Sequence, residues 1–290
     1  MLEASNAQTG KGDLVAREPV AQEMPETMPQ PGGCIQNSGA SDTRHMRITK
    51  VSIPTNPSES AALGCDLSHG SNVGTGLSGL VQALNFDLDA LVGPSADGII
   101  PSVLIGRLSG WAPQYNDTQV GQLVFRLFGE SGQYAGGPFA IQQPESPVFQ
   151  VSASIECDQI SSGHGSFELG VPLSENAPLT PLTIDRAHLV GTVQSGSLSI
   201  SRGSLNGYLT RASLGSIIRS LQASCVDESG GELCETLRAS DVEALIDFVA
   251  NIILGGFDTS LSGTETEACS GRYCNAISVC IGFEAETITL

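Results

Sequence analysis

Four small constellations in this 290-residue chain carry residue types that could do chemistry. Gly74-Thr75-Gly76-Leu77-Ser78-Gly79 matches G-x-G-x-x-G. In a dinucleotide site those glycines let backbone N–H groups approach a pyrophosphate at a helix N-terminus. Here Cys65–Asn72 does not read as a buried parallel strand and no β-α-β series follows, so the context favours a glycine-rich loop before a helix. Asp66, Asp87, Asp89 and Asp97, with Asn72, set hard oxygens near the same helix. Calcium takes such oxygens, and Asp66, Asp87 and Asp89 are the candidate ligands; without the D-x-[DN]-x-[DN]-G spacing, solvated acidic turns compete with that reading. Glu284 and Glu286 are spaced to share one strand face, as the paired carboxylates of sandwich-fold glycosidases do. The E-x-D-x-E pattern is missing, aromatics are 5% and Trp111 is the only tryptophan, so an exposed strand face is the competing account. Ser161-Ser162-Gly163-His164 sets a serine beside a histidine in sequence, but with no G-x-S-x-G it reads as a β-turn. No catalytic or cofactor-binding residue is assigned, and calcium is the only ion the pattern suggests.

The eight cysteines carry more information. Cys34, Cys65, Cys157, Cys225, Cys234, Cys269, Cys274 and Cys280 are even in number and form no C-x-x-C pair. His45, His69, His164 and His188 lie far from any cysteine cluster in sequence, so a structural zinc site lacks its paired ligands. Disulfides in an oxidising compartment fit better. The expected pairs are Cys34–Cys65, Cys157–Cys280, Cys225–Cys234 and Cys269–Cys274. The N-terminus shows no apolar signal-peptide core, so the expectation is that this chain lacks its leader. No apolar run is long enough to make a transmembrane helix. Asn116-Asp117-Thr118 is the one glycosylation triplet considered.

The charge balance narrows the partners. Thirteen Lys and Arg stand against 31 Asp and Glu, for a net charge of -18. A chain so acidic is repelled by phosphate, which excludes nucleic acid and anionic membrane. Charged residues are only 15%, while glycines number 34 and apolar residues reach 40%. That mixture suits a turn-rich β protein with a real core.

The elements that must position these residues follow from periodicity. Residues 1–46, rich in Pro, Gln, Glu, Ser and Gly, read as a disordered acidic tether. Residues 47–290 read as one disulfide-bonded, mainly β domain with a helical insertion at 211–255. Ile48, Val51 and Ile53 begin a first strand stopped by Pro54 and Pro57. Leu77, Leu80, Val81, Leu84, Leu88 and Leu91 predict a short N-terminal helix over 76–91. Strands are expected over 103–108, 119–128, 148–155, 166–173, 182–193 and 197–209, the last with an internal turn. Their spacing suggests an antiparallel β-sandwich or jelly roll. Within the insertion, Leu214, Ile217, Ile218 and Leu221 mark one helix with Thr210 as N-cap. Ser240 and Glu243 look like a capping box for a second, with Val242, Leu245, Ile246, Val249 and Ile253 on one face and Asp247 in solvent. Residues 277–286 alternate best of all, with Cys280 on the polar face and expected to pair across to another element.

Several short stretches resemble uncharacterised exported proteins and predicted lipoproteins of myxobacteria and their relatives. They are Gly64-Cys65-Asp66-Leu67, Leu104-Ile105-Gly106-Arg107-Leu108-Ser109-Gly110-Trp111, Asn116–Val120, Arg126-Leu127-Phe128-Gly129, Gly203-Ser204-Leu205-Asn206-Gly207 and Cys274–Cys280. That group usually carries G-x-D-L-D-G, and here Ser68-His69-Gly70 follows Leu67, so the second Asp is lost. The resemblance implies export and life in the cell envelope or outside the cell, with no activity. The functional expectation is a binding or structural protein with an unknown surface or extracellular ligand. The alternative is a β-sandwich polysaccharide hydrolase, which would need two convergent carboxylates in a cleft.

Overall fold

The computed structural model describes residues 42–65, 75–79, 92–94, 98, 100–111, 123–134, 138–156, 159–171, 180–194, 199–225, 231–269 and 273–290. All of them fall within one compact unit, Cys34–Leu290.

The described residues form eleven strands: β1 (Asp42–Ser52), β2 (Ile100–Trp111), β3 (Leu123–Tyr134), β4 (Phe149–Glu156), β5 (Gln159–Ser162), β6 (Gly165–Val171), β7 (Thr180–Val193), β8 (Ile200–Thr210), β9 (Thr259–Ser262), β10 (Glu265–Ala268) and β11 (Ala276–Ile288). Strand order is β1-β2-β3-β4-β5-β7-β8-β11, every neighbour antiparallel, and β11 pairs back onto β1. These eight strands therefore close into a barrel rather than stacking as the expected sandwich or jelly roll. Alternation reports only that one strand face is buried, which both architectures satisfy. The choice is made by Lys50 meeting Glu284 and Val51 meeting Phe283 across the closing pair, which removes the sheet edges. β1 also begins before the expected boundary, so Asp42–Met46 belong to the barrel and only the remainder of the tether, 1–41, lies outside the described residues.

The lumen is filled, not hollow. Met46, Ile48, Leu104, Leu108, Phe125, Leu127, Phe149, Ile184, Leu205 and Phe283 all point into one apolar cluster. Phe149 meets both Phe125 and Phe167 edge-on at 6.4 Å. Glycines make room for the rings: a Cβ on Gly203 would sit 2.4 Å from the Phe283 ring. Outward positions on β4 are the exposed Gln150, Ser152 and Ser154, the reverse of a lipid-facing wall. Outside β2, Val103 and Ile105 are covered by Phe139 and Ile141. That strap is tied by a two-pronged ion pair from Arg107 to Glu145, at 2.6 and 2.8 Å. Arg107's hydrogen bonds hold the Glu145 carboxyl down at about 2.

A short helix, α1 (Pro57–Leu63), follows β1. Asn56 caps it, Pro57 opens it, and Gly64 closes it in the left-handed region at φ 77°. Of the helix expected over 76–91, residues 80–91 lie outside the described residues. The glycines there pack: a Cβ on Gly76 would lie 2.4 Å from Ile277 Cγ2, and one on Gly79 would lie 1.7 Å from the Ile253 carbonyl oxygen. The G-x-G-x-x-G spacing thus serves close backbone approach.

Among its described residues the insertion holds three α-helices, not two: α2 (Arg211–Ser224), α3 (Gly231–Ala239) and α4 (Val242–Phe248), which runs on into a π-helical turn at Val249–Ile253. Thr210 caps α2 as expected, accepting from the Ser213 N–H. For α4 the cap is Asp241, which accepts from Glu243 and Ala244; the Ser240 carbonyl instead accepts from Gln222. Glu243 does not reach back to Ser240. It and Asp247 both bind Arg211, so Asp247, exposed as expected, also ties α4 to α2. Leu245 and Ile246 are buried as their stripe requires. β8 runs without the expected internal turn. No helix among the described residues is long and apolar enough to cross a membrane.

Candidate functional site

The residues that meet on the outer wall of β7, β8 and β11 are brought there by two irregularities in the ladders. The chain from β5 into β6 runs antiparallel along β7 but breaks at Gly163-His164. β5 pairs Ser161 with Val190, and β6 resumes with Gly165 against Ala187. In the gap, the Leu189 N–H is accepted by the Ser162 hydroxyl at 2.8 Å, and that hydroxyl donates to the Gly163 carbonyl at 2.7 Å. Opposite, the β7–β8 register shifts between Asp185 and His188. Arg186 sits in this shift with φ 50°, the left-handed region that costs a non-glycine residue strain. Bulges re-aim side chains, and here they place His164 and His188 with ring centroids 5.1 Å apart and planes tilted by 49°.

Arg186 also fixes a roof. Its guanidinium donates to the carbonyls of Gly263 and Thr264 on the tight turn of the β9–β10 hairpin, and to the Glu265 carbonyl and Thr266 hydroxyl at the start of β10. The floor is polar and buried. Asn206 and Ser278 are 3% and 4% exposed. Ser278 donates from its N–H and its hydroxyl to the two oxygens of Asp258, at 2.8 and 2.6 Å, and Thr259 adds a third bond at 3.0 Å. Asp258 is itself 1% exposed, so burial and full hydrogen bonding go together as they must. Farther along the seam, Asn206 donates to Ser204, and Ser204 to the Gly64 carbonyl. Between roof and floor lies a cavity of about 600 Å³, lined by His164, Arg186, His188, Asn206, Tyr208 and Ser278 among others. That volume is typical of a small-molecule site.

The chain was compared with models of known protein families, with curated proteins and with solved structures, and none matches.

The sequence candidates fall unevenly around it. His164 lies in the cavity wall, but as half of a histidine pair at a strand break, not as a β-turn partner for serine; the Ser162 hydroxyl is engaged with backbone. Asp66, Asp87, Asp89, Asp97, Asn72 and Asn116 lie outside the described residues. Glu284 and Glu286 are both exposed on β11 where it pairs with β1, and Glu284 bonds Lys50 at 3.3 Å. Among the described cavity-lining residues there is no Asp or Glu.

The disulfides correct two expected pairs. Cys65 joins Cys280, which overturns both Cys34–Cys65 and Cys157–Cys280. Cys280 does pair across to another element, since it sits on the outer face of β11 beneath the end of α1. Cys225–Cys234 and Cys269–Cys274 form as expected. Cys34 and Cys157 lie outside the described residues. Sequence reasoning missed His188, Arg186, Asn206 and Tyr208. The available signal was the alternation in β8, where Ser204, Asn206 and Tyr208 share the face opposite Leu205 and Leu209.

Proposed function

We propose that this is an exported cell-envelope or extracellular binding protein, and that the outer-wall cavity is its ligand site. The observation that carries the reading is a buried polar floor, Asn206 and Ser278, the latter held from behind by Asp258, set beside the strained backbone of Arg186. Buried polar groups and left-handed non-glycine residues are costly, and they concentrate where a ligand is clamped. Export is supported by the three disulfides, which persist in oxidising compartments, and by the resemblance to myxobacterial exported proteins. The lining offers imidazole, phenol, carboxamide, hydroxyl and peptide groups, a set suited to a small polar ligand rather than an apolar one. A polysaccharide hydrolase of the two-carboxylate kind finds no acid and base among these residues.

The test is a thermal-shift series on the wild type, Tyr208→Ala and Thr264→Val, with millimolar glucose, N-acetylglucosamine, L-serine and zinc chloride as probes. At least one probe should raise the melting temperature of the wild type, by mass action on the folded state, and raise that of a variant less. A wild-type melting temperature that no probe moves would overturn the reading.

A further inference from the structure

We propose that His164 and His188 form a transition-metal site, taking Zn(II) or Cu(II), at the mouth of the outer-wall cavity; this deepens the binding reading above and rests on it. The argument begins with the ring geometry. A metal bound through one nitrogen of each of two imidazoles, at about 2.0–2.1 Å, lies about 3.2 Å from each ring centre. At a tetrahedral angle the two centres then stand about 5.2 Å apart, and at a right angle about 4.5 Å. The observed separation is 5.1 Å, with the planes tilted by 49° rather than stacked.

The second strand of the argument is placement. His164 stands at the break between β5 and β6 and His188 beside the bulge in β7, so two independent interruptions of the ladder converge on one point. Both backbones are held: the Ser162 hydroxyl secures the 163–189 region, and Arg186 is clamped to the hairpin by its four acceptors. A held backbone narrows the positions that each imidazole can sample before a metal binds. The Arg186 guanidinium is turned to three carbonyls of the β9–β10 hairpin, and imidazole nitrogens suit Zn(II) and Cu(II). Calcium, which takes oxygens, is not expected here. No third His, Cys, Asp or Glu joins the pair among the described residues. The remaining coordination positions would be open to water or to a ligand in the cavity, the arrangement of an open rather than a structural metal site.

The experiment is isothermal titration of EDTA-dialysed full-length protein with zinc chloride and copper(II) chloride, on the wild type, His164→Ala, His188→Ala, His188→Gln and His45→Ala. The wild type should bind one equivalent, copper more tightly than zinc. Each single variant at 164 or 188 should bind at least about ten-fold more weakly, and His45→Ala should match the wild type. Pulsed EPR of the copper form adds a readout that folding defects do not imitate: two imidazole nitrogens coupled in the wild type, one in either single variant. Circular dichroism of the metal-free variants identifies any that fail to fold, and His188→Gln keeps a side chain of similar size for that case. Absence of saturable binding, or binding unchanged in both single variants, overturns the metal site. If glucose, N-acetylglucosamine or serine still shifts the wild type while metals do not bind, the cavity reading stands and only the metal falls; silence of every probe overturns both.

Discussion

Removing the Cys65–Cys280 bond should be the most damaging of the disulfide deletions, and its cost can be worked from the chain. The bond ties residues 215 apart, against 9 for Cys225–Cys234 and 5 for Cys269–Cys274. In the chain-entropy description a cross-link takes about 2.1 + 1.5R ln n cal/mol/K from the unfolded chain. At about 25 °C that is about 5 kcal/mol for the long loop and about 2–3 kcal/mol for each short one. Cys280 is fully buried and Cys65 is 7% exposed, so replacing both sulfurs with hydrogen leaves unfilled space that adds about 1 kcal/mol. In a domain of this size about 1 kcal/mol corresponds to about 2–4 °C of melting temperature. Cys65→Ala/Cys280→Ala should therefore melt about 10–20 °C below the wild type, and Cys269→Ala/Cys274→Ala about 4–8 °C below. Urea denaturation followed by far-ultraviolet circular dichroism gives both values, and the long-loop variant should also show the steeper denaturant dependence, because its unfolded chain is freer. Equal losses in the two variants, or a loss under about 2 kcal/mol for the long loop, would refute the entropic reasoning.

Three further outcomes are expected. Glu145 titrates at about 2 in the folded protein against 4.5 ordinarily, because Arg107 donates to it; a depressed folded value stabilises the fold above the unfolded value and is lost as pH falls from about 4.5 toward about 2, so a Glu145→Gln variant should show a flatter loss of stability over that window in acid titrations. Asp241→Ala should cost about 1 kcal/mol as the lost cap of α4, more than Ser240→Ala does, measured by equilibrium unfolding. Cys34 and Cys157 are the two cysteines outside the three bonds above, and the even count in a disulfide-bonded chain predicts that neither carries a free thiol. Peptide mapping of the unreduced protein checks it, and two free thiols at those positions would exclude it.

Local chemistry was readable along the chain wherever neighbours in sequence are neighbours in space. The stripe Leu214, Ile217 and Ile218 is buried and Thr210 caps it, as an α-helix demands. The alternation of Ile277, Val279 and Phe283 marks the inner face of β11. Asn56, Pro57, Glu59 and Gly64 spell out α1 from cap to stop, although Pro54 and Pro57 also read as the end of a strand. Cys225–Cys234 and Cys269–Cys274 span loops so short that proximity is nearly forced.

What tertiary structure alone decided are the matters of partner and register. Strand alternation says which face is buried and nothing about which strand lies alongside, so closure of β11 onto β1, and with it a barrel instead of a sandwich, had no local signature. The same holds for Cys280, whose polar-face position was evident but whose partner was set by where α1 ends over β11. His164 and His188 are 24 residues apart in sequence and would be unremarked histidines on a regular ladder. They meet because the β5–β6 break and the β7 bulge fall opposite one another, and a bulge is the insertion of one residue into a pairing, a property that neither strand possesses until both are paired.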